Sequence, residues 1–232
     1  MARLPRLALA GEAHLVVMRG HSGRPVFEDD ADRRDFLVAL REAAAQHPTA
    51  IEAYALADDH VHLLLRPAEA AHLSAVIQGL GRRYVAAFNR RHGRSGTLWA
   101  GRFRAAPVQS GPWVLRAMLF IDGHAQRAGR EAEAGQAALS SAAHHLGLRR
   151  DPLVADGPAW WALGNTPFDR EAAYRARLAE GLAAGDLKRL ADAGHKGWPL
   201  GDPAWLAQLA QQAERPVAPR PRGRPPRSAR PT

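Results

Sequence analysis

Residues 58–67 read DDHVHLLLRP, a short apolar run that two histidines interrupt and a proline ends. Side chains alternate between the faces of a β-strand, so His60 and His62 project together on one face while Val61 and two of the leucines fill the other. Two neutral imidazoles side by side on a rigid strand supply half of the donors of a metal site. Taken alone, such a pair is more often a half-solvated face that binds nothing.

The composition points to a polyanionic partner. The chain has 232 residues, enough for one domain with an appendage, and a formal net charge of +9. Residues 215–232 contain six arginines and no acid, which leaves only +3 for the rest. A basic tail therefore supplies most of the excess charge.

The composition also argues against several classes of protein. The sequence has no cysteine, which excludes disulfide and thiolate chemistry. It has no apolar run as long as a membrane span. The apolar segment within the first ten residues is too short for a signal peptide. We therefore expect a cytoplasmic protein with no membrane partner.

The order of the elements predicts the fold class. Besides the histidine strand, the hydrophobic pattern predicts strands at 13–19, 51–57 and 97–108, and helices at 31–47, 73–89 and 113–126. Asp29 or Asp30 is the expected cap of the first helix. The order β-α-β-β-α-β plus a helix is that of a ferredoxin-like α+β fold. It predicts an antiparallel sheet with helices on one face and the histidine strand in a central position.

The chain divides into three predicted parts. Residues 1–130 form the α+β domain, residues 131–214 a helical C-terminal extension, and residues 215–232 a basic disordered tail rich in proline, arginine and glycine. In the tail, Arg222-Gly223-Arg224 resembles the core of an AT-hook, in which an extended backbone lies in a narrow minor groove. A generic solubilising tail is the alternative.

Further segments appear in a characteristic order along the chain, at 1–6, 14–20, 59–64, 80–84, 88–89, 96–99, 101–103, 127–129, 140–141 and 163–168. With these segments the chain resembles the single-tyrosine HUH transposases, specifically the bacterial REP-associated tyrosine transposases. The resemblance implies binding of single-stranded or hairpin DNA, a divalent metal (Mg²⁺ or Mn²⁺) on the His-x-His pair, and a helix-borne tyrosine that attacks the scissile phosphate. A homodimer is a further possibility.

The sequence departs from this family at the nucleophile. Where the family has Tyr-Ile-x-x-Asn-Pro-x-Arg-Ala-Gly, residues 120–129 read FIDGHAQRAG. The nucleophile's position is Phe120, which has no oxygen, and the metal-side position four residues later is His124. Positions i and i+4 share a helix face, so we hypothesise a metal site of His60, His62 and His124 without the family nucleophile.

Several interpretations of this site remain open. The protein is either a DNA-binding member of the family that no longer cleaves, or an enzyme in which Tyr84 or a metal-activated water attacks. Alternatively the helix is misaligned and Tyr84 or Tyr174 is the nucleophile. A nucleic-acid-binding regulator without metal is the alternative from another class.

Basic side chains near the predicted site are the candidate DNA contacts. These are Arg19, Arg82, Arg83, Arg90, Arg91, Arg102 and Arg104, with Arg222 and Arg224 in the tail. Any one of them is equally compatible with a solvated basic face. His14 is a further candidate contact, whereas His144, His145 and His195 are predicted to be surface histidines.

Overall fold

The computed structural model describes residues 6–127 and 140–219. The strands are β1 (Ala13–Arg19), β2 (Thr49–Leu56), β3 (His60–Pro67) and β4 (Arg104–Val108). The helices are α1 (Asp30–Gln46), α2 (Ala70–Arg91), α3 (Pro112–Asp122), α4 (His124–Arg127), α5 (Ala142–His145), α6 (Pro158–Trp161), α7 (Pro167–Glu180), α8 (Ala184–Lys196) and α9 (Pro203–Gln212).

The four strands form one antiparallel sheet in the order β2-β3-β1-β4. This is the ferredoxin-like arrangement, and the histidine strand β3 lies inside it, as predicted. Because β3 has a hydrogen-bonded neighbour on each side, its backbone is held rigidly. Asp29 caps α1 by accepting hydrogen bonds from the backbone N–H groups of Ala31 and Asp32.

Each face of the sheet has its own hydrophobic core. Val61, Leu63 and Leu65 of β3 face α1 and α2, where they pack with a cluster of aromatic rings. Leu64 faces the opposite core, which contains α3 and residues of α6, α7 and α8. The prediction of helices on one face only was therefore wrong. An inner strand that is apolar on both faces needs a cover on each side, and the C-terminal extension supplies most of the second cover.

Two predicted elements are shorter than expected. The fourth strand begins at Arg104 and not at residue 97, because Gly101 adopts a positive φ angle that interrupts an extended strand. The helix after it ends at Asp122 and not near residue 126. A Cβ on Gly123 would lie 3.0 Å from the Leu119 carbonyl oxygen, and His124 begins a separate single turn.

The C-terminal extension is bonded directly to the sheet. Ser141 N–H donates to the Tyr54 carbonyl and Ala155 N–H to the Ile51 carbonyl, both on β2. At the other edge, Leu200 N–H donates to the carbonyl of Pro107, so residues near 200 cover the outer side of β4. The tail beyond residue 219 lies outside the described residues. Within residues 6–127 and 140–219, no helix is long and apolar enough to cross a membrane.

Candidate metal centre and basic cleft

Three histidines converge on one side of the sheet. His60 and His62 project from β3, and His124 reaches them from the single turn α4. One nitrogen from each ring lies within 4.8 Å of the other two, and Nε2 of His60 is 2.9 Å from Nε2 of His124. Two nitrogens bound to one metal ion at about 2.1 Å lie roughly 3 Å apart, so this spacing suits shared coordination.

The surroundings orient one ring of the cluster and favour the neutral form of another. Asp59 accepts a hydrogen bond from Nδ1 of His60 at 2.6 Å, which leaves a lone pair on Nε2. Burial, reinforced by the neighbouring His60 and His124, lowers the pKa of His62 well below its usual value. Nδ1 of His62 is buried and finds no hydrogen-bond partner in the described part of the chain.

These residues fit a divalent transition-metal ion. Metals bind neutral imidazole, and a carboxylate that orients one ligand ring is common around such sites. An all-nitrogen donor set suits a transition-metal ion better than Mg²⁺, which prefers oxygen ligands.

Phe120 lies where the resemblance places the family nucleophile. Its ring stands edge-on to His62, with the centroids 5.5 Å apart and the planes at 90°. The Arg127 guanidinium lies over the same ring, 4.6 Å from its centroid, and donates a hydrogen bond to the Phe120 carbonyl. Despite the break at Gly123, Phe120 and His124 therefore share the histidine pocket, as the helical spacing predicted. The side chain at position 120 has no oxygen that could act as a nucleophile.

None of the chain's three tyrosines, all within the described residues, lines the histidine pocket. Tyr84 is in the core on the opposite face, where its hydroxyl donates to the Val26 carbonyl at 2.5 Å. Tyr174 is buried on the histidine side, where its hydroxyl donates to Asp122 at 2.6 Å. Tyr54 donates to Asp151 in the same way. Burial raises the pKa of all three hydroxyls, which disfavours the phenolate form.

A basic cleft adjoins the histidine pocket. It has a volume of about 410 Å³ and shares Val17, Arg19, Gly194 and His195 with that pocket. No acidic side chain of the described residues lines it. Its cationic side chains are Arg6, Arg19, Arg102, Arg104, Lys196 and Arg215, and the imidazole of His195 also lines it. Burial, and then the charges of Arg102 and Arg104, lower the pKa of Arg6, as expected where like charges are crowded.

The sheet register explains why two of the arginines face the histidines. Arg19 of β1 is directly opposite His60, and Val17 lies between His62 and Arg104 in neighbouring strands. Directly opposed residues project on the same face of a sheet. Of the arginines predicted to contact DNA, Arg19 on β1 and Arg104 on β4 therefore lie on the histidine side of the sheet.

The arginines of α2 are placed differently. Arg83 bonds to Gln46 and lies 3.4 Å from the Glu42 carboxylate, and Arg91 is paired with Asp29 and Asp32. Because α2 packs on the opposite face of the sheet, these two side chains are not brought to the histidines. Arg82 and Arg90 are exposed on the same helix. Arg222 and Arg224 lie outside the described residues.

Four other histidines have surroundings that the sequence did not predict. His14 is fully buried and bonded to the backbone of Glu12 and Leu9, so its prediction as a DNA contact was wrong. His144 and His145 are also enclosed, with side chains 8% and 0% exposed, and are paired with Asp156 and Asp122. His195 is exposed, as predicted, but it lies at the site, where its Nε2 accepts a hydrogen bond from Arg19 at 3.2 Å.

Comparisons with known proteins bear on the family and on the fold. Residues 10–114 match the model of the family described as "Transposase IS200 like". A solved structure of a REP-associated tyrosine transposase bound to a REP hairpin shares the fold, with a TM-score of 0.50 and 12% identity over 68% of this chain and 93% of that one. A candidate transposase from Deinococcus radiodurans R1 aligns with a TM-score of 0.35 and 22% identity over 57% of this chain and all of that one.

A search of the curated proteins finds no match to this sequence. The family model covers β1, β2, β3 and β4 and therefore includes the two strand histidines, while α4 and the C-terminal extension lie beyond it. The resemblance to transposases noted from the sequence is thereby confirmed. Residues 10–114 therefore form a domain that matches the IS200-like transposase family.

Proposed function

We propose that this protein binds single-stranded or hairpin DNA along the basic cleft and positions one phosphate at a divalent metal site formed by His60, His62 and His124. The observation that carries the proposal is the continuity between the two: the histidine pocket opens through Arg19 and His195 into a cleft lined only by cationic and neutral side chains. A polyanion gains from such a surface because phosphate contacts release counterions.

The lining of the cleft favours an unpaired strand at this point. Phe103 and Trp198 line it, and Arg6 and Arg215 lie over these two rings. Mixed aromatic and cationic surfaces are typical of sites that bind single strands, since the rings stack on bases and the cations contact the backbone.

The residues of the histidine pocket have distinct tasks in this proposal. Asp59 holds the His60 ring in one orientation, and Arg19 and Arg127 add positive charge beside the phosphate. The chemistry that a bound Mn²⁺ or Mg²⁺ supplies is neutralisation of the phosphate charge and polarisation of its P–O bond. Phe120 occupies the nucleophile's position, so cleavage through a phosphotyrosine is impaired.

A second candidate function is cleavage by water. It is favoured by the open volume of about 270 Å³ that the three histidines share with Phe120 and His195, which leaves room for a solvent nucleophile. Tyr84 is a weaker substitute, because its hydroxyl is bonded in the opposite core. Binding without metal or cleavage is the third alternative. A homodimer and DNA contacts of the tail, including Arg222 and Arg224, stay predictions.

A covalent-adduct gel tests the proposal. The protein and its Phe120→Tyr variant are incubated with Mn²⁺ and a labelled pool of single-stranded hairpin oligonucleotides that have randomised flanks. We expect both proteins to bind the pool and only Phe120→Tyr to form a protein–DNA adduct. The matched control is Phe120→Tyr combined with His124→Ala, which keeps the new hydroxyl and removes one metal ligand.

The other outcomes separate the alternatives. An adduct in the unmodified protein would overturn the assignment of position 120. Metal-dependent cleavage without an adduct would establish hydrolysis by water. Binding that is insensitive to Mn²⁺, with no cleavage in either protein, would favour a DNA-binding regulator, and a failure to bind the pool would refute the proposal.

A further inference from the structure

We propose that Asp122 is a positioning residue for the metal site and that the C-terminal extension holds it in place. The inference rests on the proposed metal site, and it assigns to the extension a role in setting the position of His124. Asp122 is the last residue of α3, two residues after Phe120 and two before His124.

Three side chains of the extension donate to the Asp122 carboxylate. Ser141 Oγ donates to Oδ1 at 2.5 Å, while Nδ1 of His145 and the hydroxyl of Tyr174 each donate to Oδ2 at 2.6 Å. All four residues are buried, with Asp122 5% exposed and the other three 0%. A buried carboxylate is retained only when its lone pairs are satisfied, so these bonds fix Asp122 firmly.

The network also ties α3 to the sheet. The backbone N–H of Tyr54 on β2 donates to Ser141 Oγ at 3.0 Å, and Ser141 N–H donates back to the Tyr54 carbonyl. Asp122 is therefore linked through Ser141 to the strand that pairs with β3. Because β3 carries His60 and His62, the linkage fixes the end of α3 relative to two of the three ligands.

The chain geometry passes this constraint on to His124. Helix α3 stops at Asp122, and only Gly123 lies between this residue and the turn that begins at His124. A single residue therefore separates the ligand His124 from the fixed carboxylate of Asp122. Partners beyond the ligands of a metal site that orient them typically change metal affinity by about 10- to 100-fold when they are removed.

Metal affinity of matched variants tests the inference. Tyr174→Phe removes one donor to Asp122, and Asp122→Asn places an amide N–H among donors. Tyr54→Phe is the control, because it removes a hydroxyl that makes an equivalent bond of 2.6 Å to another carboxylate, that of Asp151. The substitution keeps the backbone bonds between Tyr54 and Ser141. We expect Mn²⁺ affinity, followed by electron paramagnetic resonance, to fall about tenfold in Tyr174→Phe and Asp122→Asn and to stay unchanged in Tyr54→Phe at a similar loss of Tm.

A measurement without metal separates this inference from the proposed function. The rate at which diethyl pyrocarbonate modifies His124, relative to His72, is followed by mass spectrometry in the same three variants. We expect the ratio to rise severalfold in Tyr174→Phe and to stay constant in Tyr54→Phe. If the unmodified protein binds no Mn²⁺, the metal proposal fails and this ratio alone decides. An unchanged ratio in Tyr174→Phe and Asp122→Asn, or affinity that follows Tm in all variants, would overturn the positioning role.

Discussion

The ring of Phe120 stands edge-on to the imidazole of His62, at 90° and with the ring centroids 5.5 Å apart. This contact joins the end of α3 to the central strand of the sheet and places position 120 in the histidine pocket. A hydroxyl added to that ring is the smallest change that would supply an oxygen there. The other features of the site, namely the three imidazoles and the basic cleft, do not depend on the identity of residue 120.

Removal of the third ligand should abolish tight metal binding while the fold is kept. His124→Ala alters a half-buried ring on a single helical turn, so we expect the Tm to change little and the affinity for Mn²⁺ to fall by at least about tenfold. Isothermal titration with Mn²⁺ measures this. His72→Ala, a histidine on α2 outside the cluster, is the control and should bind normally. Equal affinity in both variants would argue against the three-histidine site.

Charge in the cleft should set the salt dependence of DNA binding. Arg102→Gln combined with Arg104→Gln removes two charges that line the cleft, and each lost phosphate contact lowers the slope of log affinity against log salt by about 0.7 for a single strand. Fluorescence anisotropy with a labelled single strand at several salt concentrations measures the slope. Arg83→Gln removes one charge on the opposite face, and its slope should equal that of the unmodified protein. A larger effect of Arg83→Gln would relocate the DNA path to α2.

Loss of the Tyr84 hydroxyl should affect stability and not chemistry. Tyr84→Phe removes a buried hydrogen bond to the Val26 carbonyl, which costs about 1 kcal/mol of unfolding free energy. Adduct formation in the Phe120→Tyr background and Mn²⁺ affinity should both be unaffected, because the hydroxyl is in the core across the sheet. Urea unfolding and the adduct gel measure the two effects. Any cleavage activity that disappears with this hydroxyl would restore Tyr84 as a nucleophile.

The buried His14 should make the protein less stable in mild acid. Burial lowers the pKa of His14 to about 4 from its ordinary value of 6.5, so between these pH values the unfolded chain binds a proton that the folded protein does not. The free energy of unfolding therefore decreases as the pH falls through this window, by about 3 kcal/mol in total. His14→Gln should flatten the profile measured by urea unfolding from pH 7 to pH 4. Parallel profiles would assign the acid sensitivity to another group.

Local patterns made much of the fold predictable. The bounds of β1 agree with its β-branched run, and the alternation of residues 60–65 correctly separated the histidine face from the face toward α1 and α2. The helical spacing of Phe120 and His124 correctly predicted that they would meet at one pocket. Each of these inferences depends on residues close together in the sequence, where the backbone period alone fixes the geometry.

Contacts between distant segments were not predictable in this way. His195 lies 176 positions from its hydrogen-bond partner Arg19, and only the packing of α8 on β1 brings them together. His145 was misjudged for the same reason, because its partner Asp122 lies across an unpredicted interface. By contrast, the late start of β4 had a local signal in Gly101, which adopts a positive φ angle.

The break at Gly123 gives the three ligands unequal resistance to heat. His60 and His62 belong to an inner strand that is hydrogen-bonded on both sides, and such strands are among the last elements of a domain to open, whereas His124 stands on a separate single turn. Short terminal turns fray at temperatures well below the global transition. We therefore expect the donor set of the proposed metal site to lose its third nitrogen on warming while the sheet is still intact, so that a pair of side-by-side imidazoles is left before the protein melts.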